Sequence, residues 1–241
     1  MVLPGSLAGL LLFCGYAFQT AGLRLTTPSK SAFITGLSIP MVPLLAAIVY
    51  KKRPRPAELA GVLIATIGMA LMTLEDVHLH ANGGDLLTIF CAGAFACHIV
   101  LLGYFGHRAA LRGIGFEALA VWQIVTAAVL GFVSFSWLEH PRWHMSGGLF
   151  IALAITGLAA MAFAFSIQTW AQRHTTATRT ALIYALEPVF AWVYSRVAAG
   201  ELLSRKATLG AGLILAGILL VEVKRSEDKP HLIVNTASPE V

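Results

Sequence analysis

The chain alternates long apolar runs with short polar connectors. Eight runs approach the roughly 20 residues that a helix needs to cross hydrocarbon: 2–22, 31–50, 57–74, 84–105, 116–137, 147–171, 177–199 and 206–223. Apolar positions are continuous within each run instead of alternating, which predicts helices and not barrel strands. One pair of runs is written twice. Sliding the chain by 149 positions lays Thr26-Thr27 on Thr175-Thr176, Ala32 on Ala181, Leu37 on Leu186, Gly61 on Gly210 and Gly68 on Gly217. The hairpin from Ser31 to Leu74 thus recurs, in looser form, between Thr180 and Val223. Its turns differ in character: Lys51-Lys52-Arg53-Pro54-Arg55 in the first copy, Gly200-Glu201-Leu202-Leu203-Ser204 in the second. A duplicated membrane hairpin with inverted charge predicts an inverted-topology repeat, which points to a transporter.

Composition sharpens the class. With 57% hydrophobic and 12% charged residues, the chain lies far from soluble domains, which carry roughly 25% charged residues. The net charge of +5 comes from basic residues in short connectors between apolar runs. It therefore sets topology and does not call for nucleic acid as a partner. Cys14, Cys91 and Cys97 lie inside apolar runs, with no CxxC and no His-Cys cluster at ligand spacing. No disulfide, metal or cofactor is expected. The first run lacks the basic flank of a signal peptide, so it is taken as a retained helix.

Lys and Arg divide eleven to six between alternate sides of the eight runs. The richer side holds Lys51, Lys52, Arg53 and Arg55 in one short connector. The positive-inside rule makes that side cytoplasmic, with both termini on it and a bacterial inner (plasma) membrane as the setting. The halves meet near residue 80. Residues 1–78 form an incomplete first repeat of three helices, 79–223 a second repeat of five, and 224–241 a polar cytoplasmic tail expected to be disordered. A symmetric duplication needs two more helices before Met1. Their absence implies a late start-site assignment or a truncated paralogue.

The segment Ala181-Leu-Ile-Tyr-Ala-Leu-Glu187-Pro188-Val-Phe-Ala-Trp, followed by Gly200-Glu201-Leu202 and then by Gly210 and Gly217, resembles the last hairpin of EamA-type carriers in the drug/metabolite transporter (DMT) superfamily. Ser31-Ala-Phe-Ile-Thr with Pro43-Leu-Leu resembles the equivalent hairpin of the first repeat. The resemblance implies an all-α polytopic membrane protein, a ten-helix carrier fold here minus two N-terminal helices. It also implies a path between inverted repeats and the movement of small metabolites, often amino acids or related compounds.

Glu187 is the sharpest candidate. It lies about ten residues into its run, near mid-membrane, where a carboxylate costs on the order of 2.5–3.5 kcal/mol by insertion scales. Such a residue serves proton coupling or a substrate amine, or else bonds backbone groups on a neighbouring helix. Pro188 cannot donate to the carbonyl of Tyr184, so a bend with a freed acceptor is expected there. Pro40 and Pro43 interrupt the partner run, and paired interruptions point to a central site. Tyr184 shares a helix face with Glu187. Gln168 is a candidate for a cavity wall, while Trp170 fits an interfacial anchor. Gln19, Tyr16, His98 and Gln123 fit interhelical hydrogen bonds worth roughly 0.6 kcal/mol, with a proton relay as the alternative role of His98. Gly5 and Gly9 fit a helix-contact pattern, and Glu201 a cap.

The expected function is a secondary-active or facilitative carrier working by alternating access between the repeats. Its partners are the lipid bilayer, a small-molecule substrate and, as a candidate coupling ion, the proton. No Walker loop suggests direct ATP coupling. The alternatives are a truncated, non-transporting paralogue or scaffold, and an integral membrane enzyme. Against the enzyme, His78, His80, His140 and His144 fall in connectors and no run contains an Asp pair. Oligomeric state, transport direction and substrate identity are not legible.

Overall fold

The computed structural model describes residues 1–74, 82–138, 146–199 and 204–227, and every regular element among them is a helix. Glu75, Asp76, the four connector histidines, Glu201 and the tail beyond Glu227 lie outside the described residues. The order is α1 (Val2–Leu23), α2 (Pro28–Gly36), α3 (Ser38–Tyr50), α4 (Pro56–Thr73), α5 (Gly83–Leu111), α6 (Glu117–Leu138), α7 (Gly147–Ala171), α8 (Ala177–Tyr184), α9 (Glu187–Ala199) and α10 (Arg205–Glu227). α7 widens to a π-helix over Ile155–Phe163. Among the described residues, seven spans are long and apolar enough to cross a membrane, with α2 and α3 together making one of them. The run 177–199 is two helices, α8 and α9, neither long enough alone. α10 continues to Glu227, so Lys224 lies in a helix and not in the tail.

Local chemistry sets these boundaries. Asn82 Oδ1 accepts from the Asp85 N–H at 3.0 Å, and Asp85 Oδ2 accepts from the Asn82 N–H at 2.8 Å. This reciprocal pair opens α5 by satisfying two otherwise orphan donors. Thr27 and Thr176 cap α2 and α8, each hydroxyl accepting from the N–H three residues on. Lys51, with φ of 53°, closes α3 in the left-handed region, and Pro54 and Pro56 follow.

The 149-residue offset carries into the elements. It sends α3 (38–50) onto α9 (187–199), the start of α4 onto the start of α10, and the cap Thr27 onto the cap Thr176. The two interrupted helices break at matching places, Leu37 in one copy and Ala185-Leu186 in the other. Both breaks precede the expected positions. Pro40 and Pro188 sit in the first turn of the following helix, where a missing N–H costs nothing. Pro43 lies inside α3, with no break at it.

α4 and α10 pack through glycines. A Cβ on Gly68 would stand 2.5 Å from Gly210 O, and one on Gly61 would stand 2.6 Å from Gly217 O. Because 61 meets 217 and 68 meets 210, the corresponding helices run antiparallel, as an inverted repeat requires. The main core joins α3, α4, α5, α8 and α10 through Val42, Met69, Ala96, Val100, Leu182 and Ile214, among others.

α1 buries a glycine face, with Gly5 and Gly9 against Trp122, Gln123 and Thr126 of α6, and Gly15 against Phe95 of α5. The same offset maps α1 onto α7. Yet no residue of α7 from Gly147 to Phe163 is buried, and Gly157 has nothing within 4 Å of a built Cβ.

Candidate functional site

Two cavities enter the bundle from opposite ends. The first, about 1620 Å³, opens where α1 ends and α2, α5 begin, lined there by Arg24, Thr26, Thr27, Lys30 and Asn82. It reaches inward to Gln19, Thr35, Ser38, His98, Gln168, Tyr184, Glu187 and Pro188. The second, about 1140 Å³, opens at the other end among Lys52, Arg53, Arg55, Arg173, Arg179 and Lys224, and reaches Pro43, Tyr50 and Gly103. Of the sequence candidates, Glu187, Tyr184, Pro188, Gln168 and His98 therefore share one cavity, whereas Pro43 lines the other.

The floor between the cavities is thin. On α3, Ile39 lines the first and Pro43 the second; on α5, Ile99 lines the first and Gly103 the second. Four residues of helix amount to about 6 Å. Val42, Val100, Ala181 and Leu182 fill this layer with apolar side chains. Two hydrogen bonds cross it: Tyr50 Oη donates to Val100 O at 3.0 Å, and Gln172 Nε2 donates to Ile99 O at 3.0 Å. Gly103 leaves room for both, since a Cβ there would meet Tyr50 Oη at 3.0 Å.

The first cavity straddles the internal symmetry. The offset pairs Gln19 with Gln168, Thr35 with Tyr184 and Ser38 with Glu187, and all six line it. The scaffold is duplicated, but the chemistry is not. Each break in a helix delivers one member of the Ser38–Glu187 pair to the start of a new helix facing the cavity. Glu187 is exposed there and forms no hydrogen bond or ion pair with any described residue. Among the described residues, no backbone group of a neighbouring helix bonds this carboxylate.

Behind the wall lies a buried polar network. His98 Nε2 meets Gln123 Oε1 at 3.0 Å, and Gln123 Nε2 donates to Thr169 Oγ1 at 2.6 Å. Gln168 Nε2 donates to Gln172 Oε1 at 3.3 Å. Tyr16 packs edge-on to Phe95 and Phe165, with ring centroids 5.3 and 6.5 Å apart. At the mouth, Lys30 Nζ pairs with Asp85 Oδ2 at 2.6 Å, and Thr26 Oγ1 donates to Asp85 Oδ1 at 2.8 Å. Sequence reasoning missed this pair. The available signal was a Lys one turn into one helix and an Asp one turn into another, both opening at the same end of the bundle. It also missed Gln172 and Tyr50, whose partners are backbone carbonyls that no side-chain pattern announces.

A polytopic helical bundle with inverted repeats and two cavities separated by a thin apolar layer near its centre has the architecture of a membrane carrier. The profile of the EamA-like transporter family matches residues 2–74 and 84–223, and the chain belongs to that family. An uncharacterized transporter of Archaeoglobus fulgidus is 30% identical over 90% of this chain and 67% of its own length. A probable amino-acid metabolite efflux pump of Salmonella typhimurium is 27% identical, over 87% of this chain and 70% of its own. A solved crystal structure superposes with a TM-score of 0.76 at 19% identity, covering 91% of this chain and 74% of that one. The last comparison concerns the fold alone.

Proposed function

We propose that the protein carries small metabolites, amino acids or related compounds, across a bilayer by alternating access, as a secondary-active or facilitative carrier. One observation carries this reading: the two cavities approach to within about one helical turn of each other across an apolar layer. Closing one mouth while parting that layer exchanges access without a through-pore. The first and second repeats, meeting near residue 80, are the two bodies that rock. The concentration of Lys and Arg around the second mouth makes it the cytoplasmic one, so the cavity holding Glu187 opens outward. The substrate class is supported by the Salmonella relative's description and by a carboxylate facing the cavity without a partner among the described residues.

The test is uptake and efflux of labelled amino acids in proteoliposomes, with and without a proton gradient. Wild-type protein is expected to exchange at least one of them. Glu187→Gln is expected to lower that rate at least about tenfold, the loss of one charge-assisted contact of roughly 1.5–3 kcal/mol, while insertion and monodispersity persist. Unchanged rates in the variant across pH would remove Glu187 from substrate binding and coupling. The bare face of α7 favours one second reading, a non-transporting membrane scaffold. Folded protein that exchanges nothing across the whole amino-acid panel supports that reading instead.

A further inference from the structure

The hydrogen bonds behind the first cavity determine which end of each side-chain amide faces where. Ile99 O can only accept, so Gln172 must present its NH2 group to it, at 3.0 Å. That leaves Gln172 Oε1 to face Gln168, which must answer with its own NH2, at 3.3 Å. The remaining end of Gln168 is its carbonyl oxygen. Gln168 is 6% exposed and lines the cavity, and its buried Oε1 has no partner among the described residues. Rotating either amide would set oxygen against oxygen, so the chain of two amides transmits a fixed polarity from the α5 backbone to the cavity wall.

The same reasoning fixes His98. Thr169 Oγ1 donates to Phe165 O at 2.7 Å, so it can only accept from Gln123 Nε2. Gln123 Oε1 then faces His98 Nε2, which must carry the proton in the neutral ring, and Nδ1 is left as an acceptor. Three elements that line one cavity thus carry acceptors: Gln168 Oε1 on α7, His98 Nδ1 on α5 and the carboxyl group of Glu187 on α9. Phe95, Phe165 and Tyr16 line it beside them, and aromatic faces attract cations. The tyrosine hydroxyls can serve either way, and the cations that line the cavity, Arg24 and Lys30, lie at its mouth, where Asp85 holds Lys30.

We infer that Gln168 is a specificity-determining residue: its amide, oriented by Gln172 and Ile99 O, accepts a hydrogen bond from a primary ammonium group of the ligand and discriminates against ligands whose head can only accept. This rests on the carrier reading for its biological sense, but the selectivity is a property of binding alone. A buried acceptor left unpaired is costly, and a site built to receive a donor rejects analogues that lack one.

The experiment measures binding of n-alkylammonium ions, ethyl to octyl, and of the matching n-alkylcarboxylates to purified full-chain protein in nanodiscs. Wild type is expected to prefer the ammonium member of a matched pair by about tenfold or more. Gln168→Leu is expected to reduce that preference to within about threefold, and Gln168→Glu, which keeps an acceptor, to retain it. Gln172→Met is the decisive variant, because it leaves Gln168 in place and removes the amide that orients it; the preference is expected to fall there too. Wild-type protein that binds no ammonium probe, or carboxylates equally well, overturns the inference. So does a Gln172→Met variant with undiminished preference. Ammonium preference without amino-acid exchange in proteoliposomes would sink the carrier reading alone, and exchange without the preference would sink this one alone.

Discussion

Lys30 and Asp85 show how a charge is kept near the apolar zone. Their side chains are 9% and 8% exposed, and the carboxylate also accepts from the Thr26 hydroxyl and the Asn82 N–H. Removing one member strands the other among groups arranged for it. Asp85→Asn is expected to destabilise the fold by about 1–3 kcal/mol, read as a lower Tm in detergent. A Tm equal to wild type would show that the pair is solvated and idle. Glu187 is the opposite case, a carboxylate without a partner among the described residues. Its depth made it legible from sequence alone, because an ionisable residue within an apolar run stands out against the cost of burying it. Gln168 and Gln172 do not stand out in that way. Their meaning depends on which carbonyl lies beside them, and Ile99 O is 73 residues away in the chain.

At the scale of elements, the repeated hairpin was readable because glycine positions and apolar runs leave a one-dimensional trace. The breaks were only partly so. Prolines marked the two interrupted runs, yet each break falls ahead of its proline, at Leu37 and at Ala185-Leu186. A first-turn proline starts a helix without loss, so the chain accommodates it there and keeps the interior hydrogen bonds. The glycine contact between α4 and α10 gives a direct test. Gly68→Val inserts a side chain where even a Cβ would lie 2.5 Å from Gly210 O. Overpacking of this kind typically costs about 1–3 kcal/mol, so loss of the monodisperse species on size exclusion is expected. Gly131→Val, with open space at its Cβ, is the matched control. Equal behaviour of the two variants would mean that the α4–α10 seam does not hold the repeats together.

For the whole molecule, the thin apolar layer between the cavities is the feature on which carrier behaviour depends. In a background with Cys14, Cys91 and Cys97 replaced, a cysteine at Ser38 is expected to react with an impermeant thiol reagent only from the Lys30 end. One at Ala47, which lines the other cavity, is expected to react only from the Lys52 end. Labelling of either position from both faces in the absence of substrate would show that the layer does not seal. The bare face of α7 belongs to this scale too: its counterpart α1 covers an equivalent small-residue face with α5 and α6.

Membrane residence, helical class, the duplicated hairpin and the mid-run position of the Glu187 carboxylate were determined by the sequence itself. Each follows from local quantities: run length against hydrocarbon thickness, the period of apolar positions, and the cost of a charge at depth. Tertiary structure alone decided that the offset pairs Gln19–Gln168, Thr35–Tyr184 and Ser38–Glu187 converge on one cavity, and that Pro43 belongs to the other. It alone placed Lys30 beside Asp85 and left the buried carbonyl oxygen of Gln168, in the cavity wall, without a partner among the described residues. Those outcomes depend on which helices meet and at what height. In a bundle where nearly every surface is apolar, hydrophobicity does not choose between neighbours, and the choice falls to close glycine packing and a few hydrogen bonds.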